Sequence, residues 1–537
     1  MSETTLHDSD ASPLDRSRDD QSTPDSDWLQ RIDAWCERFG DGLNPILVKE
    51  TRQALKSRQF VITFSVLLFA ALAWTVVGSL SMMPTIYTSP SAPRMLIGYY
   101  LVLALPMLLV VPLAAYRSLE GEIDDGTLEL LSITTLGAWQ IVLGKLASAM
   151  LQMLLYFVAL FPCVAYAYTL RGVDLPTTAL IIAIVLVAAL MLTVISLFFA
   201  PLARSRTGRI STLLAVMLTL LIAEWGIAVL VISMILYGNP MSFEWQFFLV
   251  TATVLISLSL GHLLLTTTAA QLTPESENRS THIRLSLLVL TAIIFMLCML
   301  AVQTLGRDGV DAAQVLLILL TILWTIASAM MTAESAVMTP RVRRELPNSF
   351  LSRCLLTWLT PGPSTGLIFS AACIAVMTVF VILGIDYAYD QPNIYRSQRR
   401  IDIQKWTCIA YSGYLVGFLL LVYLVVRVVR IKNNPRVEFG IAALIAVAVI
   451  IGLFPYSIGL HLNDYRPFVY SSWQITNWAW TLYEISIGSD LSSEVTIMIA
   501  FVTIGFFACL LLSPKLVRPR REATPERVQQ ELKTNLH

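Results

Sequence analysis

Charge is what this chain has least of. Only 14% of its 537 residues are Asp, Glu, Lys or Arg, against about 25% in an ordinary soluble domain, while 56% are hydrophobic. That deficit excludes a soluble globular protein. The 37 basic and 37 acidic residues cancel, so no whole-molecule field favours a nucleic-acid partner, and the information lies in where the charges are placed. Cysteine is also sparse. The seven cysteines show no C-x-x-C spacing, and Cys163, Cys298, Cys373, Cys408 and Cys509 fall inside apolar runs, where a thiol behaves as a small hydrophobe. Neither a disulfide framework nor a metal site is expected. Catalytic signatures are missing as well: there is no H-E-x-x-H, no G-x-S-x-G and no phosphate-cradling G-x-x-x-x-G-K-[ST]. Gly144-Lys145 comes nearest to the last, but Trp139 stands at the first glycine and Leu146 at the Ser/Thr. The chain is therefore not expected to hydrolyse ATP or to act as an enzyme. Residues 1–27 lack an apolar core for a signal peptide; rich in Asp, Ser, Thr and Pro, they read as a disordered acidic tail.

What the chain has in quantity is apolar runs of membrane-crossing length, roughly 20 residues each. About twelve are expected, near 60–80, 95–115, 141–168, 177–202, 210–236, 245–271, 283–305, 312–338, 366–386, 406–430, 437–461 and 494–513. The fold class is an all-α polytopic membrane protein, with a six-span core over 60–271 and a further six-span half over 283–513. Ahead of the first span, residues 28–59 read as interfacial helices. Trp28, Leu29, Ile32, Trp35 and Phe39 recur at helical spacing, and a second helix opens with Asn44 as N-cap and Pro45 at its first position. That helix mixes Ile46, Leu47, Val48 and Leu55 with Lys49, Arg52, Lys56 and Arg58, the pattern of a basic helix lying on a cytoplasmic membrane face.

Lys and Arg gather on one set of span flanks, from Lys49 through Arg204, Arg209, Arg279 and Arg343 to the basic tail 514–537. Only Arg94, Arg171, Arg307, Arg396, Arg399, Arg400, Lys405 and Arg466 fall on the other side. The positive-inside rule then places both termini in the cytoplasm, with a prokaryotic inner membrane as the expected location. The loop 387–405 runs against that rule, holding half of the outside charges.

Between the second and third spans, residues 117–145 form the most informative segment. Glu120, Glu122, Asp124 and Asp125 break the apolar pattern and suggest a polar hinge; Gly126 supplies backbone freedom. Thr127 suits a helix N-cap with Glu129 in the first turn, and Leu128, Leu130, Leu131 and Ile133 give the short helix an apolar side. Trp139 is an interfacial anchor type before the next span. On residue types alone, the favoured reading is an ordinary cytoplasmic loop with solvated acids, its leucines buried against neighbouring spans.

The segment resembles the permease subunits of ABC-2 type transporters, in which an acidic pair followed by GTLE-x-L and I-x-L-G-K lies between spans two and three. Glu120, Glu122, Gly126, Thr127, Leu128, Glu129, Leu131, Ile141, Leu143, Gly144 and Lys145 match, and Asn44-Pro45-Ile-Leu-Val-Lys49-Glu50 is similar to that family's connecting helix. Thr135 and Gln140 depart from it, standing where Pro and Glu are usual. The resemblance spans about residues 40–271. It implies that 127–134 is a coupling helix docking on a separate ABC ATPase, which would hold ATP-Mg; this chain itself would need no cofactor. It further implies export, with membrane lipids and a second permease or a second copy of this chain as compatible partners.

Other polar residues inside the spans are read more plainly. Glu224, near the middle of span five, is either a substrate or proton site or a neutral hydrogen-bonded carboxyl; His262 in span six reads first as a packing residue, and direct pairing of the two is not expected. Lys145, Arg427 and Arg430 are expected to snorkel to lipid phosphates. Pro106, Pro112 and Pro162 are candidate kinks, and 462–493, with Trp473, Trp478 and Trp480, is expected to be an interfacial or small extracellular element. The second half could be a degenerate permease repeat or an unrelated extension. An ion-coupled secondary transporter is the rival function, favoured by twelve spans in two halves and by Glu224; a membrane scaffold is a third.

Overall fold

With no water in the bilayer core, backbone N–H and C=O groups must pair within their own segment, so apolar runs of this length become helices. In the computed structural model they do. It describes residues 45–511 apart from 85, 87, 127–136, 174, 203–205, 238–241, 275–276, 336–338, 345, 347–348, 350–351, 353–355, 391–397, 432–435 and 467. Both tails, and with them Asn44, lie outside the described residues. No strand occurs among those described.

A short helix, α1 (Pro45–Lys56), precedes twelve helices long and apolar enough to cross a membrane. These are α2 (Arg58–Ser81), α3 (Ala92–Asp124), α4 (Ala138–Thr169), α5 (Leu175–Leu202), α6 (Gly208–Tyr237) and α7 (Phe243–Leu272) in the first half. The second half comprises α8 (Thr281–Leu305), α9 (Arg307–Thr332), α10 (Pro363–Tyr389), α11 (Gln398–Val429), α12 (Phe439–Leu462), the short α13 (Trp478–Ile487) and α14 (Ser492–Leu511). The chain is a polytopic helical membrane protein. Its surface suits lipid: α2 turns Phe69, Leu72 and Leu80 outward, and α6 does so with Leu214 and Trp225.

α3 is the centre of the first half, packing on α2, α4, α5 and α6. Pro106 removes a backbone donor there, and the helix responds with a π-helical stretch, Leu105–Val110, closed by the Val111 N–H on the Pro106 carbonyl. Hydroxyls join neighbouring spans across the interfaces: Thr75 meets Tyr99 at 2.7 Å, Thr63 meets Tyr156 at 2.8 Å and Ser79 meets Tyr166 at 2.9 Å. In hydrocarbon such pairs add to packing because lipid offers no alternative partner.

Two expectations are corrected in the second half. The charges of 387–405 do not all sit in a loop, since α11 begins at Gln398 and carries Arg399, Arg400 and Lys405 on a helix. Lys405 pairs with Asp386 of α10, and Arg399 donates to the Gly488 carbonyl at 3.2 Å. Paired with a carboxylate, Lys405 weighs less in the orientation rule than its charge suggests. The segment after α12 is not confined to the interface either. Its chain dips inward and returns as α13: the Trp478 indole donates to the Ala448 carbonyl, midway along α12, at 2.9 Å, whereas ten residues on Gly488 meets Arg399 near the outer start of α11. Tyr456, Phe468, Tyr470 and Trp480 pack around one another with centroid separations of 5.2 to 5.7 Å, covering the irregular backbone of this re-entrant hairpin.

Candidate functional site

The site forms where α1 crosses the ends of α3 and α4. α1 is amphipathic, and its one buried acid, Glu50, is 9% exposed. The helix brings that carboxylate to Lys145, two turns into α4. The Lys145 ammonium lies 3.3 Å from Glu50 Oε1 and 3.2 Å from Glu122 Oε2, and donates to Ser118 Oγ at 2.7 Å. Ser118 in turn donates to Glu50 Oε2 at 3.2 Å, and Lys49 approaches Glu122 at 3.8 Å from the exposed face of α1. The Lys145 side chain is 2% exposed. Three helices are thus tied by one buried cation between two carboxylates. Lys145 does not snorkel, because its charge is met inside the protein.

The acidic cluster is no hinge. α3 stays helical through Asp124, and its acids face different partners: Glu120 accepts from Tyr116 at 3.3 Å, Glu122 takes the two lysines, and Asp124 pairs with Arg209 of α6. Side chains that looked solvated by composition are drawn to cations by tertiary packing, and the helix continues beneath them. The break falls at Gly126, whose φ of 66° is left-handed and suits glycine. Thr127, Leu128, Glu129, Leu130 and Leu131 lie outside the described residues. The chain re-enters at Gly137, whose N–H donates to the Gln140 side chain at 3.1 Å as α4 begins.

Beside the buried ions lies a polar cavity of about 190 Å³, whose lining includes Gln53, Ser57, Thr63, Ser148 and Gln152. Pro45 opens α1, and Arg52, fully on the exposed side, lines an outer groove with Lys49 and Lys56. Sequence reasoning placed Lys49 and Arg52 on the right helix but passed over Glu50 and Ser118 as site residues. A single acid among basic residues on the apolar-facing side of α1 was the available signal.

A second ionic knot closes the same side of the other half. Arg284, fully buried at the start of α8, pairs with Glu334 at 2.7 Å, donates to the Thr360 carbonyl at 2.8 Å and to that of Trp358, and stacks over Phe369 at 5.6 Å. Glu334 also accepts from Ser280 at 3.0 Å and from the Gly362 N–H at 2.8 Å. Arg430, expected to snorkel, donates to the Ala333 carbonyl at 2.7 Å and to that of Glu334, and burial lowers its pKa from the usual arginine value.

Glu224 and His262 share no hydrogen bond or ion pair among the described residues. Glu224 is half-buried on α6 and makes no hydrogen bond or ion pair among the described residues. Tyr100 lines an apolar cavity of about 50 Å³ between α3, α4, α5 and α6, room for little more than a water molecule. His262 meets Ser286 of α8 at 3.0 Å and the Trp139 ring edge-on at 5.6 Å, joining α4, α7 and α8.

No protein-family model, curated protein or solved structure matches this chain. Its functional reading rests on its own residues and geometry.

Proposed function

We propose that this chain is the membrane-spanning permease subunit of an ABC transporter of the ABC-2 kind, an exporter that works with a separate ATPase. The observation that carries the reading is the buried Glu50–Lys145–Glu122 cluster at the roots of the segment resembling a coupling helix. A segment pushed by a partner moves the spans only if its ends are fixed to them. Here α3 enters the connection and α4 leaves it with both ends joined through Lys145, and α1 is bound into the same unit, so a displacement at 127–136 is passed to several helices together. In this reading the α1 side is cytoplasmic, the location is the cell membrane, and ATP-Mg is held by the partner.

The test is purification of the native complex in mild detergent with an ATPase assay. A near-stoichiometric P-loop ATPase is expected to accompany the chain. Gly126→Val, which forces a side chain into left-handed backbone at about 1–2 kcal/mol, and Glu129→Lys should each cut transport-coupled ATPase activity while the chain stays inserted. Full activity in both variants, or absence of any ATPase by copurification and crosslinking, rejects the reading. In that case the half-buried Glu224 favours an ion-coupled secondary carrier, with Glu224→Gln the deciding variant.

A further inference from the structure

The polar cavity beside the ionic cluster is larger than a single water molecule needs, and the polar groups around it fall into two sets. The charged ones are already paired, since Lys145, Glu50 and Ser118 bind one another. The neutral ones are not. Ser148, one turn beyond Lys145 on α4, is 4% exposed, and its hydroxyl makes no hydrogen bond among the described residues. A buried hydroxyl on a helix commonly returns its hydrogen to the carbonyl four residues back, as Thr193 of α5 does to Ala189 at 2.8 Å. Ser148 departs from that habit on the wall of a cavity. The amides of Gln53 on α1, Gln59 on α2 and Gln152 on α4 line the same space, and they too make no hydrogen bond among the described residues. Unpaired hydroxyl and amide groups around one space suit an occupant that donates and accepts and carries no net charge there, which is the chemistry of hydroxyl groups.

Two further surfaces adjoin the cavity. Gln53 belongs both to it and to the outer groove of α1, where Arg52 and Lys56 are exposed and form no ion pair among the described residues. At Gln59 the rim continues along α2 into Ile62, Val66 and Phe69, an exposed apolar stripe at helical spacing. A cationic groove, an uncharged hydrogen-bonding cavity and an apolar stripe thus meet where α1 joins α2.

We propose that this junction binds a phospholipid whose headgroup is both anionic and hydroxylated, as that of phosphatidylglycerol is. The phosphate lies on Arg52 and Lys56, the glycerol hydroxyls enter the cavity to meet Ser148 and Gln152, and an acyl chain follows α2. So placed, the lipid bridges α1, α2 and α4 and stabilises the folded chain by mass action. The proposal goes beyond the permease reading and does not depend on it.

The experiment titrates the full chain, purified and delipidated in mild detergent, with phosphatidylglycerol, phosphatidic acid or soluble glycerol 3-phosphate. Binding is read by native mass spectrometry and by the thermal midpoint. Phosphatidylglycerol is expected to bind about tenfold more tightly than phosphatidic acid, which has the phosphate without the hydroxylated headgroup. Gln152→Leu and the gentler Ser148→Ala should each reduce that preference several-fold. Arg52→Gln combined with Lys56→Gln, both at the surface, should weaken both lipids by about tenfold. Equal binding of the two lipids by the native chain, or a preference untouched by both cavity variants, overturns the proposal and leaves the cavity to water. Unchanged binding in the surface double variant overturns it as well. So does glycerol 3-phosphate that binds as tightly as the lipid, because the ligand is then a soluble phosphate ester.

Discussion

A lysine near a span end can escape the cost of a bare charge in hydrocarbon by reaching for lipid phosphates or by meeting carboxylates inside the protein. Lys145 takes the second course, and the choice has a measurable consequence. Lys145→Met leaves the buried Glu50 without its cation and Glu122 with only Lys49, 3.8 Å away on the exposed face, which should cost about 3 kcal/mol and lower the midpoint of thermal unfolding in detergent. Adding Glu50→Gln and Glu122→Gln to Lys145→Met should recover most of that loss, because the triple variant has no stranded charge. An unshifted midpoint for the single variant means that the cluster does not hold the three helices together. None of this was legible locally: Glu50 and Lys145 are 95 positions apart, and their meeting depends on how α1 lies across the bundle. Gly126 was legible, because its left-handed turn is set by its own backbone and by the end of α3 just before it.

At the scale of elements, apolar length gave the spans directly, since a helix is the only local answer to hydrocarbon. Where composition is compatible with two placements, it decided less. Trp473, Trp478 and Trp480 suit an interface, yet their segment folds inward as a re-entrant hairpin because α11 and α12 leave a space that it fills. Gly459 permits the fit: a Cβ there would lie 2.6 Å from the Phe468 ring and 2.7 Å from Gln474 Nε2. Gly459→Leu should therefore push the hairpin outward. With a single cysteine replacing the buried Thr481, a membrane-impermeant thiol reagent should react slowly in the otherwise unchanged chain and many-fold faster when Gly459→Leu is added. Equal rates would show that the hairpin does not depend on this contact. The acidic end of α3 was misjudged for a related reason. A run of carboxylates reads as a break until Lys49, Lys145 and Arg209, all from other elements, are brought beside it.

The whole molecule has two faces that differ in kind. On one lie α1, both ionic knots and the connections α3–α4 and α9–α10; on the other lies the return of the re-entrant hairpin at Gly488. An even number of spans requires that the described chain start and finish on the same face. The proposed reading puts the α1 face, where most Lys and Arg of the sequence gather, in the cytoplasm, and the pairing of Lys405 with Asp386 offsets part of the contrary charge on the other. Single cysteines replacing Lys56 and Asp490, in a chain with its native cysteines substituted, measure this directly. In intact cells an impermeant thiol reagent should label the position at 490 and spare the one at 56, and opening the membrane should expose both. Labelling of 56 alone would put α1 outside, where an ATPase that draws on cytoplasmic ATP could not reach the segment it is proposed to move. Labelling of both in intact cells would mean an even number of crossings between them in place of the eleven from α2 to α12, contradicting the six-plus-six arrangement; a third cysteine, replacing the exposed Ser335, locates the discrepancy, which lies among α2 to α9 if Ser335 falls on the opposite side from Lys56 and among α10 to α12 if it falls on the same side.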